Sequence, residues 1–293
     1  MVEKKFTVGW LLRNAVLWFV IFIMIFPFLY MLSISLSENW DVMSGNVGIY
    51  PKVDGKFGAT LATYEQVLEQ PLIFTAYKNT IIYTVLGTAI ALFVLTTGAY
   101  ALSKKRLPGG AFMNILVLIT MFFGGGMIPA FMCIKWLGLM NSIWAIVLPG
   151  AFGAYNCIIM RSFFHGFPKE IEESGRLDGL NDIGILWYLV LPTSTAIIAT
   201  IGLFVAVAQW NGFFGPLIYL NEDTRYPLQI ILRQIVLQGT NTEESAAEVV
   251  NNKTAGDALK YATIIVAIAP IIAVYPFMQK YFVKGVMIGS VKG

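Results

Sequence analysis

Polar and apolar positions fall along this chain in long blocks. Charged side chains are absent for 24 residues from Asn14 to Ser37, 25 from Asn79 to Ser103, 28 from Leu107 to Ile134 and 25 from Trp136 to Met160. A further 39 run uncharged from Ile183 to Asn221, and 19 from Tyr261 to Gln279. About 20 predominantly apolar residues cross a bilayer as a helix, so five blocks predict one span each. The 39-residue block is too long for one span and too short for two with a polar loop. Pro192 and Pro216 bracket its middle and predict one span between them. The reading is an all-α membrane protein of six transmembrane helices, roughly 14–36, 79–102, 111–133, 140–162, 192–215 and 260–282. Residues 1–293 form a single transmembrane domain, with no soluble domain. The first block exceeds the roughly 7–15-residue apolar core of a cleavable signal peptide, and no small-x-small site follows it, so it is expected to persist as a helix.

Composition agrees. Of 293 residues, 57% are hydrophobic and 13% charged, about half the charge of a soluble domain. A soluble enzyme and a disordered chain are both excluded. With the N-terminus in the cytoplasm, the inner segments hold 12 of the 20 Lys and Arg but only 6 of the 17 acids. The tight Lys104-Lys105-Arg106 turn carries much of that bias, and the positive-inside rule places both termini in the cytoplasm. Cys133 and Cys157 lie in apolar stretches and suit neither a disulfide framework nor a metal site. A net charge of +3 gives no case for nucleic acid. Trp40, Trp136 and Trp144 fit the membrane–water interface, where aromatic residues concentrate.

Three polar segments are long enough to matter: an outer one from Glu38 to about Tyr77, helix-like over Thr63–Glu69; a second outer one from Leu220 to Leu259, most polar over Gly239–Ser245; and a cytoplasmic one from Phe163 to about Leu191. Gly124-Gly125-Gly126 and Pro129 sit inside the third block, and two readings fit them. One is a close helix–helix contact; the other is a broken helix lining a path.

The cytoplasmic segment has the strongest local pattern. Pro168 followed by Glu170, Glu172 and Glu173 is a helix start, and Gly179 with Asn181 and Asp182 is a stop and restart. A second helix from about Asn181 carries Ile185, Leu186 and Leu189. The result is a helix–turn–helix at the inner membrane face, spanning 164–191. Physics alone allows an amphipathic connector resting on headgroups or a docking surface for a cytosolic partner.

The spacing itself is distinctive: Glu173-Ser174-Gly175, three residues, Gly179, nine residues, then Leu189, Val190 and Leu191-Pro192. It resembles the Glu-Ala-Ala signature of bacterial ABC importer permeases, with Ser and Gly at the two Ala positions. The Arg176-Leu177-Asp178-Gly179 run and the ending from Gln279 to Gly293 are similar to the carbohydrate-uptake, maltose-type branch. The likeness is nearest to the smaller permease of complex-oligosaccharide importers. The resemblance implies a type I, MetI-like permease in a bacterial cytoplasmic membrane, beside a second homologous permease, two cytoplasmic ATPase subunits and an extracytoplasmic solute-binding protein. It implies that 164–191 is a coupling hairpin seated in a groove of the ATPase. Glu173 would anchor it, Ser174 and Gly175 would allow close approach, and Gly179, after Asp178, would make the turn. It also implies that the outer loop around Gly239–Asp257 reaches the binding protein and that the tail over Gly289–Gly293 reaches the ATPase.

No Gly-x-x-x-x-Gly-Lys-Ser/Thr occurs, so P-loop nucleotide binding in this chain is not expected. No catalytic residue, metal ligand or cofactor is expected. The spans carry almost no ionisable groups, which disfavours the alternative of an ion-coupled carrier or channel. A sugar path calls for neutral hydrogen-bonding groups and aromatic faces. Tyr155, Asn156, Gln209, Trp210 and Asn211 supply both, though buried amides also serve to lock helices together.

Overall fold

A computed structural model describes residues 8–238 and 257–276. The polar loop over 239–256 and the tail over 277–293 lie outside the described residues. The chain packs as two compact units. One holds the described residues up to Ile73 with those of Ile231–Ala269, and the other holds Phe74–Ile230 with those from Pro270.

In the first unit, α1 (Val8–Ser35) is one helix of 28 residues. Its apolar side chains are exposed along its length, Leu12 and Trp18 at 68% and 69%, so lipid or another chain must cover it. A short helix, α2 (Asn39–Met43), and a two-stranded hairpin, β1 (Lys52–Val53) and β2 (Lys56–Phe57), follow. The hairpin turns at Asp54 and Gly55, both with positive φ, the pairing that a two-residue turn requires. Side chains before it hold it in place. Ser37 Oγ accepts from Lys52 N at 3.1 Å, Glu38 Oε2 from Asp54 N at 3.0 Å and Asp41 Oδ2 from Gly55 N at 3.0 Å. The helix expected near Thr63–Glu69 is α3 (Ala62–Glu69).

α4 (Pro71–Ser103) runs 33 residues, starting two turns before the expected span. In the second unit, three of the expected spans are broken. The stretch over 111–133 is α5 (Gly110–Phe122) and α6 (Met127–Trp136), bent by 116° at the glycine triplet. Gly126 has φ of +86°, outside the helical region. The stretch over 140–162 is α7 (Ile143–Val147) and α8 (Ala154–His165), separated by a turn holding Pro149, Gly150 and Gly153. After α9 (Lys169–Leu177), the 39-residue block forms α10 (Asp182–Thr193) and α11 (Thr195–Trp210), meeting at 85°. The corner is Ser194, two residues past the proline expected to mark it, and α11 ends at Trp210 rather than 215. Pro216 falls within α12 (Phe214–Tyr219). A 3-10 turn at Asp223–Arg225 leads to α13 (Leu228–Gln238), and α14 (Asp257–Pro276) is the last described element.

The core of the second unit joins α4, α8, α10 and α11. Ala91, Leu95, Ala99 and Tyr100 cluster with Cys157, Met160 and Phe164, and with Ile185, Leu186 and Val190. The hairpin over 164–191 and the apolar helices thus share one hydrophobic core. At the other end of α4, Thr80 Oγ1 accepts from Leu228 N at 2.8 Å and Asn79 Nδ2 donates to Thr224 O at 2.8 Å. These bonds fix the loop after α12 to that helix.

Candidate functional site

Pro168 caps α9, with Glu170 and Glu172 in the first turn and Arg176 in the last. Both charges suit the helix dipole. The helix closes as a Schellman turn: Gly179 N donates to Arg176 O at 3.1 Å and Leu180 N to Gly175 O at 2.9 Å. Gly179 has φ of +84°, and nothing lies within 4 Å of where its Cβ would be. Glycine is needed there for its conformation rather than for space within the hairpin. Asn181 then caps α10 by accepting from Gly184 N at 2.8 Å, and Arg176 pairs with Asp182 across the turn.

Gly175 plays a different part. A Cβ there would meet Leu189 Cδ1 at 2.6 Å and Ile185 Cγ1 at 3.4 Å. Its small size lets α9 and α10 close on one another, whereas Ser174 is exposed. Glu173, Asp178 and Gly179 are exposed as well, and Leu177 projects with 89% of its surface free. Glu170, Ile171, Ser174, Gly175, Asp178 and Leu189 line a shallow cleft of about 280 Å³ on the hairpin.

Within α10, Ile185–Val190 is π-helical. Pro192 lacks an N–H and its ring would crowd the carbonyl four residues back, and the wider π turn relieves both conflicts. Thr193 Oγ1 donates to Leu189 O at 2.8 Å, satisfying a carbonyl near this irregularity.

The neutral candidates in the membrane separate into different roles. Gln209 lies against two glycines, and a Cβ at Gly87 or at Gly150 would meet its Nε2 at 2.8 Å. Its side chain therefore fills a slot between α4 and the turn that separates α7 from α8. Asn211 Nδ2 donates to Val207 O at 2.9 Å and closes the end of its own helix. Tyr155 is exposed, and Asn156 is half-buried against Gly153. Trp210 is buried, with its ring 6.4 Å from that of Tyr77 in an edge contact and its indole N–H unpartnered.

The family model described as "Binding-protein-dependent transport system inner membrane component" matches residues 105–288, from the turn after α4 past the described end of α14. The chain belongs to that family. Among relatives, this permease is 40% identical over 271 residues to Protein LplC of Bacillus subtilis, covering 92% of this chain and 90% of the relative. It is 38% identical over 272 residues to the polygalacturonan/rhamnogalacturonan transport system permease protein YtcP of the same organism, covering 92% and 93%. A crystal structure of a bacterial ABC transporter involved in import of the acidic polysaccharide alginate contains a chain that superposes with a TM-score of 0.86. That chain is 33% identical, with 96% of this permease and 99% of the other covered. The MetI-like fold expected from the hairpin signature is therefore the fold of this permease.

The bracing of the hairpin to the membrane helices is what residue spacing does not reveal. Lys104, just past α4, pairs with Glu172 of α9, and its Nζ lies 4.1 Å from the centre of the Tyr100 ring. Arg161 Nε donates to Leu102 O at 3.1 Å, and His165 Nδ1 lies 3.3 Å from Ser103 O. Three elements meet at the end of α4. In sequence, Lys104 belongs to a basic turn that signals topology, and nothing local ties it to Glu172. A second polar node joins the start of α7 to the loop after α12. Asn141 and Arg225 both donate to Glu222, Arg225 at 2.8 Å. These bonds hold the Glu222 carboxyl below the usual carboxylate range, the Arg225 bond most strongly.

Proposed function

We propose that this permease is a pore-forming subunit of an ATP-driven importer that carries an oligosaccharide, delivered by an extracytoplasmic binding protein, across a bacterial cytoplasmic membrane. A second homologous permease completes the pore, and two cytoplasmic ATPase subunits hydrolyse the nucleotide. Both termini are cytoplasmic, and 1–293 is one transmembrane domain. Relatives named for their substrates carry polysaccharides or oligosaccharides, the acidic polysaccharide alginate among them, which supports the substrate class.

The observation that carries the reading is the hairpin over 164–191. It presents Glu173, Ser174, Asp178 and Gly179 with the exposed Leu177 at one end, while its other face shares the core of α4, α8 and α11. A partner that grips the exposed tip moves the membrane helices with it, since close-packed interiors shift as bodies. Gly175 supports this by keeping the two hairpin helices in contact. Of the neutral membrane candidates, Trp210 has a buried indole N–H without a partner, Gln209 fills the slot against Gly87 and Gly150, and Asn211 closes the end of its own helix. Tyr155 and Asn156 remain candidates at the start of α8.

The test is uptake into proteoliposomes holding both permeases and the ATPases, with loaded binding protein outside. ATP inside should drive accumulation, and a proton gradient without nucleotide should not. Uptake driven by the gradient alone would mark an ion-coupled carrier instead.

A further inference from the structure

The polar segment after α1 encloses a cleft of about 290 Å³, with Glu38, Trp40, Val53, Thr60, Thr63 and Gln66 among its lining residues. That is near the lower end of small-molecule sites, about 300–1,000 Å³, so it suits one ring rather than a whole oligomer. Backbone bonds fix its walls. Glu38 N donates to Lys52 O at 2.9 Å and Thr60 N to Leu36 O at 2.8 Å. The hairpin of β1 and β2 and the entry to α3 are thereby both tied to the end of α1. The functional groups around the cleft are within reach of solvent. Trp40 is 69% exposed and Gln66 is exposed. Glu38 Oε2 accepts from Asp54 N at 3.0 Å, and its Oε1 has no hydrogen bond among the described residues. Thr60 Oγ1 accepts from Ala62 N at 3.2 Å, which leaves its proton to donate. The Gln66 amide has no hydrogen bond among the described residues. An indole face, a carboxylate oxygen, an amide and a hydroxyl thus surround one small opening.

Resting on the importer reading above, in which a cytoplasmic N-terminus and one crossing by α1 put this segment outside, we propose that the cleft is an outer sugar site, separate from the membrane helices, that takes one uncharged ring of an oligosaccharide. The Trp40 indole covers the C–H face of the ring. Glu38 Oε1 accepts from a ring hydroxyl, and the Gln66 amide donates to another. The Glu38 charge sets the selectivity: it repels a uronate carboxylate and equally a lipid phosphate. A cationic side chain of a protein partner offers donors only and would leave the Gln66 N–H groups unused, whereas a sugar hydroxyl both donates and accepts. The site therefore favours a neutral or esterified ring over an acidic one.

The test measures equilibrium binding of trigalacturonate and of its methyl ester to the purified complex of both permeases and ATPases in phosphatidylcholine nanodiscs, without binding protein. Wild type should bind the ester about three- to tenfold more tightly, the repulsion of two carboxylates about 5 Å apart in a water-like dielectric. Glu38→Gln keeps an acceptor for Asp54 N and should bring the two probes within about twofold of each other. Trp40→Ala should weaken the ester about tenfold through lost apolar contact. Gln66→Ala, at an exposed position, should weaken it about three- to tenfold through one lost hydrogen bond. ATP-driven uptake assayed in parallel separates the two claims. Where wild type imports an oligosaccharide on ATP, three results overturn the outer site: no binding of the ester, no preference for it over the acid, or a preference that survives Glu38→Gln. Normal ester binding in Trp40→Ala, with looser attachment of the binding protein or less contact with lipid, would mark Trp40 as a protein or membrane contact and also overturn it. Absence of ATP-driven uptake of every oligosaccharide overturns the reading on which the site rests.

Discussion

Gly179 gives the sharpest account of the hairpin, because conformation and space are separable there. Its φ is +84°, and a Cβ added to it would have no atom within 4 Å. Replacement by Ala adds no clash inside the chain but places an L-residue in the left-handed region, at a cost of about 1–2 kcal/mol. Asn, although larger, tolerates that region better, and Val, β-branched, tolerates it least. A cost of about 1–2 kcal/mol corresponds to roughly 5- to 30-fold in a conformational equilibrium. The two amides of the Schellman turn, Gly179 N and Leu180 N, report it directly. Hydrogen exchange in the peptide covering 175–181 should accelerate about 5- to 30-fold in Gly179→Ala, less in Gly179→Asn and more in Gly179→Val. Substrate-stimulated ATPase of the assembled importer should fall in the same order. If the loss instead follows side-chain size, with Asn worse than Ala, the glycine is required by the approach of the partner and the conformational argument fails.

Three further outcomes are expected. Lys104→Ala leaves the partly buried Glu172 without its cation. It should cost about 1–3 kcal/mol, between surface and buried ion pairs, and lower ATP-driven uptake more than ATPase activity; an equal fall in both would remove the tether from the coupling route. At the Gln209 slot, Gly87→Ala places a Cβ 2.8 Å from Nε2, and overpacking of that kind costs about 1–3 kcal/mol. Adding Gln209→Ala should recover thermal stability, and strict additivity of the two changes would show that the slot is not where the strain lies. Glu222 titrates below its usual value of 4.5 in the folded state. The stability it contributes is present above the unfolded pKa and is lost as pH falls through the lower folded value. Glu222→Gln should therefore flatten the acid side of the melting-temperature profile below about pH 4.5 and leave neutral pH little changed; an unaltered acid limb would contradict the paired geometry.

Charge-free block length locates α1 and α4 well because each is an uninterrupted helix, for which length and hydropathy are sufficient signals. The same counting is blind to breaks. Gly124-Gly125-Gly126 admits two readings in sequence, and the 116° bend at that triplet shows a broken helix. Gly150 and Gly153 attract little notice among apolar neighbours, yet they divide 140–162 into two helices. The corner at Ser194 is displaced from Pro192 because the π turn absorbs the proline within α10. The hairpin is the most legible feature, since its start, turn and restart are written in Pro168, Gly179 and Asn181. Its attachment is not legible. Lys104 and Glu172 are 68 positions apart, and long-range pairing of that kind leaves no local pattern. The membrane candidates show the same limit: Gln209 and Asn211 differ from Trp210 only in what each touches.

The most direct test of the central claim is a cross-link from the tip of the hairpin. Leu177 is the most exposed large hydrophobic residue of the hairpin, at 89%. Leu177→Cys would be made with the exposed Cys133 replaced by Ser and assembled with single-cysteine ATPase subunits. If the hairpin transmits ATP-driven closure, the thiol introduced at position 177 should cross-link to the ATPase in the assembled complex. Locking that link should abolish uptake, with reduction restoring it. Failure of the Leu177→Cys thiol to react with any ATPase position, in a complex that still imports substrate on ATP, would contradict the account.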